Sequence, residues 1–178
     1  GASTTIAKSL ALAEDLGADL LNLHLYCEQS AAAFVRAHEP LLDRLAATPI
    51  RLAVENTPLT GPQECNALFE ALARSGRADP DRVGLCFDLG HANLCRATHN
   101  DYLKFLDLLH PDLPIIHLHL HENWGDRDSH LPLFTGPAGR DPSGVAGLLQ
   151  RLARRGFSGS IILEQWPDPP SLLATTRD

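Results

Sequence analysis

Four side chains that could together hold a metal ion recur along the sequence at nearly regular intervals. They are three carboxylates and one imidazole: Glu55, Asp88, His119 and Glu164. Successive members are 33, 31 and 45 residues apart. Carboxylate oxygens with an imidazole nitrogen suit a divalent cation such as Mn²⁺, Mg²⁺, Co²⁺ or Zn²⁺. We therefore predict that these four residues bind a divalent metal. The alternative is that each is a solvated or ion-paired residue at the end of its strand.

Further polar residues that could take part in catalysis or binding lie close to these four in the sequence. Asp88-Leu-Gly-His91 places an imidazole shortly after a carboxylate, and Asp128-Ser-His130 repeats that pairing in a later loop. His91 could therefore polarise a substrate oxygen, or it could join Asp128 and His130 as ligands of a second metal. The candidate substrate-binding residues are His24, Asn56, His121, Asn123, Trp124 and Arg140. Arg140 could hold a phosphate, or it could be a solvated loop charge.

The elements that must position these residues alternate between short β-rich runs and longer helical segments. The predicted strands are Leu20–Tyr26, Ile50–Asn56, Val83–Leu89, Pro114–His121 and Ser160–Trp166. The predicted helices are Thr4–Leu16, Ser30–Ala47, Pro62–Ser75, Asn100–His110 and Ser143–Arg155. Strands that alternate with helices at this spacing indicate βαβ units and a parallel sheet.

Each predicted strand has one apolar face and one face that ends in a titratable group. In the fourth strand, the apolar face is formed by Ile116, Leu118 and Leu120, and His119 lies on the polar face. An open parallel sheet covered on both sides would be apolar on both faces. A (β/α) TIM-type barrel instead gives the polar faces a shared interior, with catalytic groups at the C-terminal ends of the strands. His117, His119 and His121 share this polar face, and we expect His117, the deepest of the three, to be a packed residue.

The number of repeats predicts an incomplete barrel. A full (β/α)8 barrel has about 250 residues, whereas this chain has 178 residues and five βα units. We therefore expect residues 1–178 to form a single partial barrel domain that lacks its N-terminal strands. The two edge strands would then be unpaired, which predicts a homo-oligomer or another association that covers the open edges.

The composition predicts which classes of partner the protein binds and which cellular compartment it occupies. Apolar residues make up 44% and charged residues 21% of the chain, which predicts a folded domain with a buried core. No apolar run approaches the ~20 residues of a membrane span, and the net charge of −7 is the wrong sign for gripping nucleic acid. The cysteines have no CxxC spacing and are too few for a disulfide scaffold, which predicts a reduced, cytoplasmic setting. They are Cys27, Cys65, Cys86 and Cys95.

Several motifs together resemble the xylose isomerase-like TIM barrels, a superfamily of sugar (phosphate) isomerases and epimerases that also includes the endonuclease IV class. The motifs are Leu52-Ala-Val-Glu-Asn56, Gly84-Leu-Cys-Phe-Asp-Leu-Gly-His91, His117-Leu-His-Leu-His-Glu-Asn123, Asp128-Ser-His-Leu-Pro-Leu133 and Ile161-Ile-Leu-Glu164. The resemblance implies that the five strands correspond to strands four to eight of the barrel.

The resemblance also implies a function. It implies that Glu55, Asp88, His119 and Glu164 bind the catalytic metal and that His91 contacts the substrate. For a sugar or sugar-phosphate isomerase or epimerase, it implies that Glu55 and Glu164 remove and return a carbon-bound proton through an enediolate.

Two alternatives remain open from the sequence. One is a zinc-dependent phosphodiesterase or abasic-site endonuclease, because the chain matches all but one of that class's zinc-binding positions. The matching residues are His24, Glu55, Asp88, His91, His119, Asp128, His130 and Glu164. The other is a partial barrel that retains the metal ligands without catalysis.

Overall fold

Five parallel strands form the centre of the protein, as predicted. The structure, a computed structural model, describes residues 2–26 and 30–166. Cys27, one of the four cysteines in the prediction of a reduced compartment, lies outside the described residues. The strands are β1 Leu20–His24, β2 Arg51–Glu55, β3 Val83–Asp88, β4 Ile115–Leu120 and β5 Ser160–Leu163.

Helices connect successive strands on the outside of the sheet. They are α1 Ala2–Asp15, α2 Ala31–Leu45, α3 Pro62–Arg74, α4 Leu89–Leu94, α5 Tyr102–Leu108, α6 Pro137–Arg140 and α7 Ser143–Arg154, with a 3₁₀ turn at Arg96–Thr98. The five long predicted helices are present. Helices α4 and α6 were not predicted, because six and four residues are too few to show a helical period.

Local side-chain chemistry sets the ends of these helices. The Ser30 hydroxyl accepts a hydrogen bond from the Ala33 amide at 3.1 Å and so caps the start of α2. At the start of α3, the Gly61 amide donates to the Glu64 carboxylate at 2.8 Å. Gly76 follows the end of α3 with a φ of 72°, a conformation that glycine adopts without steric cost.

The strand order is β1-β2-β3-β4-β5, and every neighbouring pair is parallel, so the chain forms an incomplete α/β barrel. The register aligns the C-terminal ends of the strands. His24 pairs with Glu55, Asp88 pairs with His119, and Glu164 directly follows β5. The polar residues that the sequence placed at strand ends therefore lie at one edge of the sheet.

The two faces of the sheet belong to different apolar clusters. The larger cluster joins the outer face to the helices and includes Leu85 and Leu118, whereas Ala53, Cys86 and Ile116 form a small inner cluster. The prediction that Ile116 shares the face of Leu118 was wrong. The β3–β4 pairing shifts between Leu85 and Cys86, and this bulge turns Ile116 inward.

Within residues 2–26 and 30–166, the sheet ends at β1 and β5, as expected for a partial barrel. All six residues of β3 are buried, but Ile161, Ile162 and Leu163 of β5 are each about half exposed. A strand with a neighbour on only one side leaves part of its surface in solvent. Among the described residues, no helix has both the length and the apolar composition to cross a membrane.

Candidate metal centre

The four residues predicted to bind a metal meet at the C-terminal edge of the sheet. Each of Glu55, Asp88, His119 and Glu164 offers one ligand atom, and these atoms all lie within 4.8 Å of one another. Glu55, Asp88 and His119 are buried, whereas the Glu164 side chain is 36% exposed. The cluster is therefore closed from below and open to solvent on the side of Glu164.

Three atoms in this cluster are buried without a hydrogen-bond partner in the described part of the chain: Glu55 Oε1, His119 Nδ1 and Glu164 Oε2. His119 Nδ1 lies 3.4 Å from Glu55 Oε1, 3.6 Å from Asp88 Oδ2 and 3.2 Å from Glu164 Oε2. Buried polar atoms without partners are costly, and clustered carboxylates require a compensating positive charge. The donor set fits a divalent cation held by these four side chains.

Residues behind the cluster hold its carboxylates in place. The Asn22 amide donates to Glu55 Oε2. The Asn56 side chain accepts from the Asp88 amide at 2.9 Å and donates to the Asp88 carbonyl at 3.0 Å, which fixes the end of β3. His121 Nε2 lies 3.1 Å from Asp88 Oδ1. Partners of this kind orient metal ligands.

The close charges shift the pKa values of the cluster. Burial alone would raise the pKa of Glu55, but contacts with His119 and His91 outweigh burial and lower that pKa to about 2. Burial would lower the pKa of His119, but contacts with Asp88, Cys86 and Glu55 raise it to about 12. Both shifts have the same cause, the closeness of an imidazole to buried carboxylates.

His91 links this cluster to the second set of candidate ligands. Its Nδ1 donates to the Asn56 carbonyl at 2.9 Å and lies 3.2 Å from Glu55 Oε1. Burial lowers the pKa of His91, but Glu55, Asp88 and Asp128 raise it to about 9. Asp128 Oδ2 lies 3.2 Å from Nε2 of both His91 and His130.

The second set also includes a histidine that had been predicted to contact substrate. His121, Asp128 and His130 offer ligand atoms within 4.8 Å of one another, and His121 Nδ1 is buried without a hydrogen-bond partner among the described residues. The His121 and His130 rings stack with centroids 4.0 Å apart, and Trp166 stacks on the other face of His130 at 4.1 Å. The sequence indicated His121 and His130 as candidate site residues, but it did not predict that their rings stack with Trp166.

The other predicted substrate-binding residues fall into two groups. Asn56 and Asn123 are fully buried, and their amides are occupied by backbone contacts, because Asn123 donates to the Gly90 carbonyl at 2.8 Å and accepts from the Gly125 amide at 3.0 Å. Asn56 thereby fixes the end of β3, Asn123 joins α4 to the turn at Gly125, and contact of either residue with substrate stays a prediction. His24 is accessible, with half of its side chain exposed and Nε2 at 3.5 Å from Glu55 Oε1.

Trp124 and Arg140 form a separate pair at the surface. The Arg140 guanidinium carbon lies 4.7 Å from the centroid of the Trp124 ring, which is within the range of a cation–π contact. Within residues 2–26 and 30–166, we find no contact that joins this pair to the carboxylate cluster. A direct role of Arg140 or Trp124 in binding substrate remains a prediction.

Sequence reasoning gave no role to Glu122, which organises the long loop after β4. This carboxylate is buried and accepts hydrogen bonds from the amides of Phe134, Gly136 and Ala138 at 3.3, 2.7 and 3.2 Å. The backbone of Glu122 also pairs with that of Leu131. An acidic residue before a glycine-rich loop carries no specific sequence signal, so only the tertiary structure reveals this anchor.

With this geometry established, comparison with known proteins identifies the family. The family described as xylose isomerase-like TIM barrel matches residues 2–177. The chain belongs to this family. The resemblance inferred from the motifs is thereby confirmed, and the incomplete sheet is a part of the family's barrel.

Solved structures of similar fold agree with this assignment. A D-tagatose 3-epimerase-like protein superposes with a TM-score of 0.72 at 19% identity, over 98% of this chain and 67% of that one. A sugar phosphate isomerase/epimerase from Parabacteroides distasonis ATCC 8503 gives 0.58 at 18% identity, over 96% and 61%. At these identities, the likeness shows the xylose isomerase-like fold alone.

Two further relatives are more similar in sequence. The TTHB071 protein from Thermus thermophilus, in a structure soaked with ZnCl2, is 28% identical with a TM-score of 0.59, over 93% of this chain and 63% of that one. An uncharacterised protein from Methanocaldococcus jannaschii, MJ1311, is 32% identical over 87 residues, or 48% of this chain. That match spans 27% of the archaeal protein.

Proposed function

We propose that this protein is a divalent-metal-dependent isomerase or epimerase of a sugar or sugar phosphate. The observation that carries the proposal is the convergence of three unpartnered, buried ligand atoms on one point beside Asp88. The names of the D-tagatose 3-epimerase-like and sugar phosphate isomerase/epimerase structures support the substrate class by analogy of fold.

Asp88 and His119 would hold the metal together with Glu55 and Glu164. A bound divalent ion would polarise a carbonyl oxygen and stabilise the negative charge that forms when the neighbouring carbon loses a proton. The proposal does not depend on which divalent ion the protein prefers among Mn²⁺, Mg²⁺, Co²⁺ and Zn²⁺.

Glu55 and Glu164 would transfer the proton. Strands β2 and β5 lie on opposite sides of β3 and β4, so the two carboxylates reach the centre from opposite sides. Glu164 is the more accessible, with 36% of its side chain exposed against 2% for Glu55. We assign proton removal from the substrate to Glu164 and the reciprocal transfer to Glu55. Between the two transfers, the substrate is an enediolate.

His91 would steady a substrate oxygen. Its Nδ1–H is held by the Asn56 carbonyl, and its Nε2 lies 3.2 Å from Asp128 Oδ2, so Nε2 is the nitrogen that would face the substrate. A hydrogen-bond donor at this place would stabilise negative charge on the substrate.

The test is exchange of solvent deuterium into a ketose at the carbon next to the carbonyl, measured with purified protein and Mn²⁺. We expect Glu164→Gln to slow the exchange by about 10²–10⁴-fold, because the proton acceptor is lost. The matched control is Glu70→Gln on the exposed face of α3, which should leave exchange unchanged. Unchanged exchange in Glu164→Gln would refute the assigned role.

The second candidate is a zinc-dependent phosphodiesterase or abasic-site endonuclease. The observation that favours it is the cluster of His121, Asp128 and His130, whose ligand atoms lie within 4.8 Å of one another and could hold a further metal. The net charge of −7 opposes the binding of a polyanion. Cleavage of an abasic-site duplex with Zn²⁺, without deuterium exchange into sugars, would replace the isomerase proposal with this one.

The third candidate is a metal-binding partial barrel without turnover. This chain spans 61–67% of the length of the solved structures described above, so walls of the substrate site could be supplied from outside it. Metal binding that depends on Glu164, with no exchange and no cleavage, would support this candidate and contradict the isomerase proposal.

A further inference from the structure

A third set of ligand-bearing side chains, distinct from the one around Asp128, lies one layer deeper in the barrel interior than the carboxylate cluster. Cys86 precedes Asp88 by two residues on β3, and His117 precedes His119 by two residues on β4. Cys86 and His117 are register partners, as are Asp88 and His119. Because side chains alternate along a strand, the two pairs form successive layers on the inner face.

The deeper side chains are close together and shielded from solvent. Cys86, His117 and His119 offer one ligand atom each within 4.8 Å of one another. Their exposed fractions are 0%, 3% and 9%. A thiol and two imidazoles in a dry interior are the donor types of sites that bind Zn²⁺ and other thiophilic ions.

The His117 ring is also oriented as metal-binding histidines usually are. Its Nδ1 lies 3.1 Å from the Ser160 carbonyl and 2.7 Å from the Ser160 hydroxyl. An Nδ1–H that donates to a neighbouring strand leaves the Nε2 lone pair free as a ligand. A histidine that ligates a metal commonly donates its other N–H to a carbonyl in this way.

We propose that Cys86, His117 and His119 form a separate, deeper cation site, selective for a thiophilic ion such as Zn²⁺ or Cd²⁺. This site differs in chemistry from the oxygen-rich cluster above it, which suits harder ions. His119 belongs to both groups, so filling the deeper site changes the affinity of the upper one. The site has two ligands that the upper cluster does not use, Cys86 and His117, and its own readout, and it does not depend on the proposed isomerase activity.

The experiment is a titration of the purified, folded chain with Cd²⁺, monitored by the ultraviolet charge-transfer absorption of a thiolate–Cd²⁺ bond. We expect a band that saturates at one thiolate-bound ion and disappears in Cys86→Ser. The matched control is Cys95→Ser, another buried cysteine outside the cluster, which should retain the band. Glu164→Gln should also retain it, which separates this site from the upper one.

A second variant guards against loss of folding in Cys86→Ser. His117→Asn keeps the thiol but removes one ligand, so it should weaken Cd²⁺ binding by at least tenfold while circular dichroism stays unchanged. A band that survives Cys86→Ser, or Cd²⁺ affinity that is unchanged in folded His117→Asn, would overturn the proposal.

Discussion

Gly90 lies where any side chain would collide with the ring that supports Asp88. A Cβ atom at this position would lie 2.0 Å from His121 Cε1 and 2.4 Å from His121 Nδ1. Ordinary contacts between carbon atoms begin at about 3.4 Å, so Gly90→Ala requires the ring to withdraw by about 1.4 Å. The size of the effect depends on whether the ring can move.

The His121 ring is held on two sides. Its face stacks on His130 at 4.0 Å, and His130 is itself stacked on Trp166 at 4.1 Å. Its Nε2 lies 3.1 Å from Asp88 Oδ1, and a shift of about 1.4 Å away from that oxygen exceeds hydrogen-bond range. The ring can therefore yield only by compressing the stack and losing its contact with Asp88.

The expected loss of stability follows from these contacts. Overpacking costs about 1–3 kcal/mol, and a hydrogen bond to a charged group contributes about 1.5–3 kcal/mol. Replacing Gly by Ala within helix α4 returns up to about 1 kcal/mol. We therefore expect Gly90→Ala to lower the free energy of unfolding by about 2–5 kcal/mol and the Mn²⁺ affinity by about 10–100-fold.

Urea unfolding of the metal-free protein and calorimetric titration with Mn²⁺ measure these two quantities. The sign of the change in the free energy of unfolding is informative, because helix propensity alone predicts that Gly90→Ala is stabilising. In a His121→Ala background, where the collision is removed, Gly90→Ala should be neutral or stabilising. Gly76→Ala is the control: it introduces strain at a φ of 72° with no atom within 4 Å, and should leave Mn²⁺ affinity unchanged. A stable Gly90→Ala with normal Mn²⁺ affinity would refute the reasoning.

Four further outcomes test the organisation of the metal centre. Asn22→Ala should lower Mn²⁺ affinity by about 10–100-fold in calorimetry, because Glu55 loses its orienting donor, whereas Asn66→Ala, on α3, should not. Mn²⁺ at about 100 times its Kd should stabilise the fold by about 2.7 kcal/mol, seen as a Tm increase of about 5–11 °C that EDTA reverses. The pKa of His119 is raised to about 12, so its ring is protonated at pH 7 and must lose that proton to bind metal. The Mn²⁺ affinity should therefore fall about tenfold for each unit that the pH decreases. Calorimetric titrations in buffers of different ionisation enthalpy should show the release of this proton. Glu122→Ala should leave three loop amides without their acceptor and increase proteolysis of the loop after β4, and an unchanged cleavage rate would contradict its anchoring role.

The alternation of polar and apolar residues predicted most of the fold. It gave five parallel strands and the convergence of their C-terminal ends, because strand geometry fixes the face of each side chain from its position alone. Ile116 was the exception, since a bulge between strands is a property of the pairing and not of either strand. Edge exposure at β5 was also foreseeable from the number of strands.

The sequence predicted the candidate ligands of the site but not the residues that hold those ligands in place. Glu55, Asp88, His119 and Glu164 have distinctive chemistry at strand ends, and the structure brings them together, while metal binding itself stays a prediction. The amides of Asn56 and Asn123 are paired with backbone groups, which the sequence did not indicate, and their contact with substrate stays a prediction. The partners of an asparagine at a strand end depend on the packing around it, which no local pattern records.

The amino-acid order by itself therefore determined which chemical groups reach the inner edge of the sheet, since local periodicity and short-range spacing suffice for that. The tertiary structure decided how those groups are held. The amide of Asn22 on Glu55, the stack of His121 between Gly90 and His130, and the loop bound by Glu122 join residues that are distant in sequence. Such contacts depend on the packing of separate elements, which no local pattern records.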